Sequence, residues 1–166
     1  LLNEVLLAIR EQCGSDFLVG VRLSPEKFGM DLTEVKTICK NLISDGHIDF
    51  LDISLWDCFK MPEGDTNQSK TLLEHFTAID RKTVKLTVAG KIRSGMDANT
   101  ILQANVDFIT IGRSGILHHN FPQLVMDNPE FTPTETPVSA AYLLNEGLSP
   151  VFIDYMGRWP DFVAKA

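Results

Sequence analysis

Two apolar segments of this chain each run into a glycine, and the second glycine is followed at once by arginine. They are Val84–Gly90 (VKLTVAG) and Asp107–Arg113 (DFITIGR). Glycine leaves a backbone N–H bare, and a neighbouring guanidinium adds a planar fork of donors. Gly90, Gly112 and Arg113 therefore form a candidate cradle for a phosphate group. One glycine after a strand means little, because it also simply permits a tight turn. Two in consecutive strand–helix units, the second with Arg and a short helix behind it, match the phosphate site built after the last two strands of many (β/α)8 barrels. Arg22 is a further cation at the end of an otherwise apolar run, Phe17–Leu23 (FLVGVRL). It either faces a ligand beyond the C-terminal ends of the strands or pairs with an interior carboxylate such as Asp52.

The elements that must position these residues alternate. Leu2, Val5, Leu6 and Ile9 recur at helical spacing with Arg10, Glu11 and Gln12 outward and Gly14 as a stop. The continuous apolar run Phe17–Leu23 reads as a parallel strand buried on both faces. Asp31 caps a helix with Leu32, Val35, Ile38 and Leu42 inward, ending near Gly46. Ile48–Ser54 is the next strand, with Asp49 and Asp52 expected at strand ends or turns. Leu55–Ser69 is the longest loop, followed by a helix over about Lys70–Ile79. Val84–Ala89, Met96–Ala104 and Asp107–Ile111 give strand, helix, strand. Ser114–Leu117, Phe121–Met126, Val138–Asn145 and Val151–Met156 read as short helices, with the proline-rich stretch Asn128–Pro137 irregular. The rhythm is that of a βα repeat with four strands, half of a barrel.

Bulk properties bound the function. At 166 residues with 44% hydrophobic content, the chain suits one domain over 1–166 and is too short for most complete (β/α)8 barrels. The net charge of −7 with dispersed Lys and Arg excludes a broad nucleic-acid face but not one neutralised phosphate pocket. Cys13, Cys39 and Cys58 are odd in number and show no CxxC, as expected of reduced thiols in a cytoplasmic protein. The apolar runs are too short to span a bilayer, and no basic signal-peptide start is visible. Leu1-Leu2 opens inside an amphipathic pattern without Met, as if cut from something longer. His118 and His119 are adjacent and lack an HxxxH or carboxylate cluster, so no metal is expected there. Trp56 and Asp57 follow the second strand at its functional end, where Trp56 either touches ligand or covers the rim.

GVRLSP (Gly20–Pro25), VAGKI (Val88–Ile92) and DFITIGRSGIL (Asp107–Leu117) followed by FP (Phe121-Pro122) resemble, in order and spacing, the C-terminal half of the Old Yellow Enzyme family, the FMN-dependent NADH:flavin oxidoreductases. The resemblance covers nearly the whole chain. It implies an α/β fold, the C-terminal half (strands five to eight) of a (β/α)8 TIM barrel, with parallel strands, flanking helices and FMN at the barrel mouth. It also implies that Gly90, Gly112, Arg113 and the backbone N–H of Ser114 hold the FMN phosphate. Arg22 would lie beside the N1/C2-carbonyl edge of the ring, where a cation favours the anionic reduced flavin. The implied activity passes hydride from NAD(P)H through flavin to an electron-poor alkene such as an enone.

The family's substrate-activating His/Asn or His/His pair belongs to strand four, so no catalytic residue is assigned here. His47 precedes a strand and His75 lies within a helix, and neither substitutes. The chain alone is expected to be inactive, with the missing N-terminal half or a second copy of itself as partner. Two departures stand out: Lys91, where the family often has glycine or a small apolar residue, and His118-His119-Asn120, where it commonly has Asn-Pro. Lys91 either adds charge near the phosphate or leans into solvent. The alternatives are another flavin barrel, such as a dihydrouridine synthase acting on RNA, and a non-catalytic ligand-binding or interaction fragment.

Overall fold

The computed structural model describes residues 1–63 and 69–165, so residues 64–68 of the expected 55–69 loop lie outside the described residues. The described residues form two compact units, one from Leu1–Lys91 with Thr100–Thr110, the other from Ile92–Asn99 with Ile111–Ala166. Along the chain the elements are α1 (Leu2–Cys13), β1 (Gly20–Leu23), α2 (Leu32–Asp45), β2 (Phe50–Ser54), α3 (Leu72–Thr77), β3 (Lys85–Ala89), α4 (Gly95–Gln103), β4 (Phe108–Ile109), α5 (Arg113–Leu117), α6 (Phe121–Asp127), α7 (Ala140–Asn145) and α8 (Pro150–Met156). Among the described residues no helix is long and apolar enough to cross a membrane.

The first unit holds a four-stranded, all-parallel sheet in the order β1-β2-β3-β4. Parallel neighbours in sequence order require a crossover between each pair, and the flanking helices provide it. This α/β arrangement is compatible with half of a (β/α)8 barrel. Register sets Arg22 opposite Asp52, Asp52 opposite Thr87 and Thr87 opposite Phe108. Because side chains alternate along a strand, these four share one face with Gly20, Phe50 and Ser54. The other face carries Val21, Leu51, Ile53, Leu86 and Val88, all buried. Val35, Cys39 and Leu42 of α2 and Leu72, Leu73 and Phe76 of α3 are buried in the same unit. Burial pushes the Cys39 thiol up to about 12.

Three expectations fail here. β1 begins at Gly20, and Phe17 and Leu18 are exposed, so the apolar run is not a strand buried on both faces. Only alternate positions of β1 and β2 are buried, which is the signature of a sheet covered on one side. Asp52 sits in mid-strand rather than at an end, because Arg22 on the neighbouring strand pairs with it. Arg10 does not point outward either. Its guanidinium donates to the carbonyls of His47 and Phe17 and to Asp49 Oδ2 at 2.7 Å, stitching α1 to the entries of β1 and β2.

Local chemistry explains the helix ends. Asp31 accepts from the N–H groups of Thr33 and Glu34 to start α2, and Gly46, left-handed at φ 72°, ends it. Thr71 and Glu74 form a reciprocal capping box that starts α3. In the second unit Ser139 and Ser149 cap α7 and α8. Val138 is therefore not helical as expected; it lies in a parallel bridge to Val163. Leu117, Val138, Leu143, Ile153, Met156 and Phe162 form the core of this unit. The Tyr142 hydroxyl donates to the Leu117 carbonyl at 2.9 Å, tying α7 to the end of α5.

Candidate functional site

Arg22 and Gly90 belong to the first unit, and Gly112, Arg113 and Ser114 to the second. In the first unit Arg22 is both half-exposed and paired. Its NH1 meets Asp52 Oδ2 at 3.1 Å, and its NH2 donates to Ser54 Oγ at 3.1 Å. Burial pushes the Asp52 carboxyl above the ordinary aspartate range, with Arg22 opposing that shift. The second oxygen of Asp52, Oδ1, is enclosed and has no hydrogen-bond partner among the described residues. Further along the same face the Thr87 and Thr110 hydroxyls pair at 2.9 Å, and the rings of Phe50 and Phe108 meet edge-on at 5.7 Å.

Gly90 follows β3 with φ 156°. A Cβ at this position would stand 2.8 Å from the Asp57 nitrogen and 2.9 Å from the Trp56 carbonyl carbon. The loop after β2 thus presses its backbone against Gly90, and the Gly90 carbonyl accepts from the Cys58 N–H at 3.2 Å. This crowding is a reason for glycine that needs no ligand. Lys91, left-handed at φ 52°, neither leans free into solvent nor stands as a spare cation. Its Nζ pairs with Asp57 at 2.8 Å. Burial pushes the Asp57 carboxyl up, but Lys91 and the Phe59 N–H outweigh it and hold the group below its ordinary value. Trp56 is half-exposed and packs against Phe28, ring centroids 6.3 Å apart.

Gly112 differs from Gly90. Its φ of −111° suits any residue, and nothing lies within 4 Å of where a Cβ would be. Here the missing side chain leaves open space above the turn that starts α5. The helix cannot satisfy the N–H groups of its own first turn, which include those of Arg113 and Ser114. The Ser114 side chain is buried and occupied, donating to the carbonyls of Ile92 and Arg93 at 3.2 and 3.3 Å. The Arg113 guanidinium stacks 5.5 Å over the Trp159 ring, an arrangement that supports the cation from one side.

Arg93, Ser94, Arg113, Ser114, Thr134 and Thr136 line a cleft of about 440 Å³ in this unit, together with Glu135 and apolar neighbours. Two arginines against one carboxylate, with the threonine hydroxyls of the same lining, make a donor set suited to a phosphate. Arg93 and Ser94 were not among the residues singled out from sequence. Their own backbone N–H groups are taken by Asp97, at 2.9 and 3.0 Å, and Ser94 Oγ accepts in return from the Asp97 N–H. That box starts α4 and leaves the Arg93 side chain as the second cation. The S-x-x-D spacing of Ser94 and Asp97 was a readable capping signal, but nothing local marks Arg93 as lining a cleft.

His118 and His119 have separate partners. His118 Nε2 accepts from the Thr134 N–H at 2.9 Å, while His119 Nδ1 lies 2.8 Å from Glu146 Oε2. No group of three or more potential metal ligands occurs among the described residues.

The fold and cleft define an α/β chain whose parallel sheet carries a paired arginine and whose second unit presents a cleft lined by two arginines. No protein-family model matches the chain. It is similar to a Bacillus subtilis (strain 168) protein named probable NADH-dependent flavin oxidoreductase YqiG, with 28% identity over 133 residues. The match covers 78% of this chain and 36% of that protein, so the chain spans little more than a third of the relative's length. The name of this distant relative agrees at a coarse level with the resemblance drawn from the sequence motifs.

Proposed function

We infer that the native protein is an NADH-dependent flavin oxidoreductase of the Old Yellow Enzyme type, in which these residues supply the C-terminal half of a (β/α)8 barrel. The observation that carries this reading is the cleft lined by Arg93, Ser94, Arg113 and Ser114. The distant relative's name supports the flavin chemistry. Gly112, Arg113 and the backbone N–H of Ser114 hold the FMN phosphate, and Arg93 adds a second charge. Gly90 shapes the turn after β3, where it serves as a further cofactor-binding position. Arg22 addresses the N1/C2-carbonyl edge of the ring, where its charge favours the reduced, anionic form. When bound, FMN supplies hydride transfer from NAD(P)H to an electron-poor alkene such as an enone.

These residues bind and orient the cofactor; none is assigned to substrate activation. The partner that completes the site is the N-terminal half of the barrel, with a second copy of this chain as the other arrangement. Without it, turnover is negligible. The native location is the cytoplasm, where the three thiols stay reduced.

The test is FMN titration of the purified native polypeptide by flavin fluorescence, followed by NADH oxidation with an enone. Arg113→Ala removes a charge-assisted fork and should weaken FMN binding about 30-fold. Absence of flavin binding in the wild type, or equal affinity in Arg113→Ala, overturns the assignment.

A further inference from the structure

A guanidinium carries five N–H donors. Arg22 uses two of them, one on Asp52 Oδ2 and one on Ser54 Oγ, both at 3.1 Å. The other three have no hydrogen-bond partner among the described residues, and 53% of the side chain remains exposed. Asp52 and Ser54 are alternate residues of β2, so they point to the same face of the sheet, and Arg22 is in register with Asp52 from β1. The guanidinium is therefore held by two of its corners on a two-residue comb, with its remaining donors turned to the uncovered face. A cation present only to neutralise a buried carboxylate would be expected to engage both carboxylate oxygens in a fork. Here Asp52 Oδ1 is enclosed and without a partner, while Arg22 spends its second bond on the serine. An enclosed, unpartnered carboxylate oxygen is costly, and its retention calls for a functional explanation. The geometry of the pair favours orientation of the arginine over mutual satisfaction.

We propose that Asp52 and Ser54 are positioning residues for Arg22, fixing the plane of its guanidinium and setting the net charge that it presents to a planar anionic ligand on this face. This rests on the reading that the ligand is FMN and that Arg22 addresses its ring. Ser54 sets direction by accepting one N–H. Asp52 sets direction and charge together, because its carboxylate offsets part of the field of Arg22. Burial raises the proton affinity of Asp52, and Arg22 opposes that rise.

The experiment uses the native polypeptide loaded with FMN and reads the flavin midpoint potential and the FMN Kd. Asp52→Asn retains an acceptor but removes the offsetting charge. It should raise the preference for reduced over oxidised flavin about tenfold, a rise of about 30 mV for a two-electron couple. Asp52→Glu should return the potential towards the wild-type value. Ser54→Ala, which leaves the charges alone, should weaken FMN binding about fivefold with little change in potential. If Arg22→Gln lowers the potential while Asp52→Asn leaves it unchanged, the positioning role is overturned and the ring assignment of Arg22 stands. If Arg22→Gln changes neither affinity nor potential, the ring assignment itself fails and the proposal with it. Should Asp52→Asn not fold, an unchanged Kd in Ser54→Ala overturns the comb.

Discussion

Gly90 and Gly112 look alike in the sequence, each a glycine closing an apolar segment, yet they should respond oppositely to alanine. At Gly90 the new methyl would enter at 2.8 Å from the Asp57 nitrogen and 2.9 Å from the Trp56 carbonyl carbon, on a backbone with φ 156°. Both neighbours are main chain, so relief requires the loop after β2 to move. That loop is tied down by the Leu55 N–H on the Ala89 carbonyl at 2.7 Å and the Cys58 N–H on the Gly90 carbonyl. Overpacking and backbone strain each cost about 1–3 kcal/mol, so Gly90→Ala should lose about 3 kcal/mol. At Gly112 the methyl would meet open space at an ordinary φ of −111°. Gly112→Ala should therefore stay within about 0.5 kcal/mol of wild type.

Urea unfolding of the native polypeptide measures both. With a slope of about 2 kcal/mol per molar, Gly90→Ala moves the midpoint down by about 1.5 M and Gly112→Ala leaves it in place. Flavin titration of the same two variants separates stability from binding. Gly112→Ala, stable but with a methyl over the open turn, should bind FMN more weakly. Equal midpoint shifts in the two variants would refute the steric reasoning. A Gly90→Ala variant with wild-type stability but lost flavin affinity would show that ligand approach, not loop crowding, demands that glycine.

Two further perturbations probe the frame around the site. Asp107 accepts from the Leu86 N–H at 2.9 Å and pairs with Arg81 at 3.0 Å and Lys85 at 2.9 Å. Burial pushes its carboxyl up, but the Leu86 N–H and the two cations outweigh that and hold it below the ordinary range. The folded state therefore binds fewer protons than the unfolded one just below about pH 4, and the stabilisation fades as pH falls through the folded-state value. Asp107→Asn should cost about 1–2 kcal/mol at pH 7 and progressively less in acid; a gap that stays constant down to about pH 2 would exclude this linkage. Tyr142→Phe, which removes the hydroxyl donating to Leu117, should lower stability by about 1 kcal/mol in the same unfolding assay, and no change would discount that bond.

The sequence determined what depends on residues close together along the chain. Asp31 and Gly46 bound α2 because a cap needs only a side chain within three residues of the N–H groups it serves, and a left-handed stop needs only glycine. The order of strands and helices followed from apolar spacing in the same way, as did the two glycine turns. The tertiary structure decided which charged groups are occupied. Arg10 was expected in solvent and instead binds Asp49, 39 positions away; Lys91 meets Asp57 across the β2 loop; Asp52 lies in mid-strand because Arg22 sits beside it in register. The cleft draws Arg93, Arg113, Thr134 and Phe162 from four separate stretches, so nothing near Arg93 in the sequence could announce it. Periodicity fixes which residues share a face, but a guanidinium is free or paired according to neighbours that only folding brings within hydrogen-bond reach.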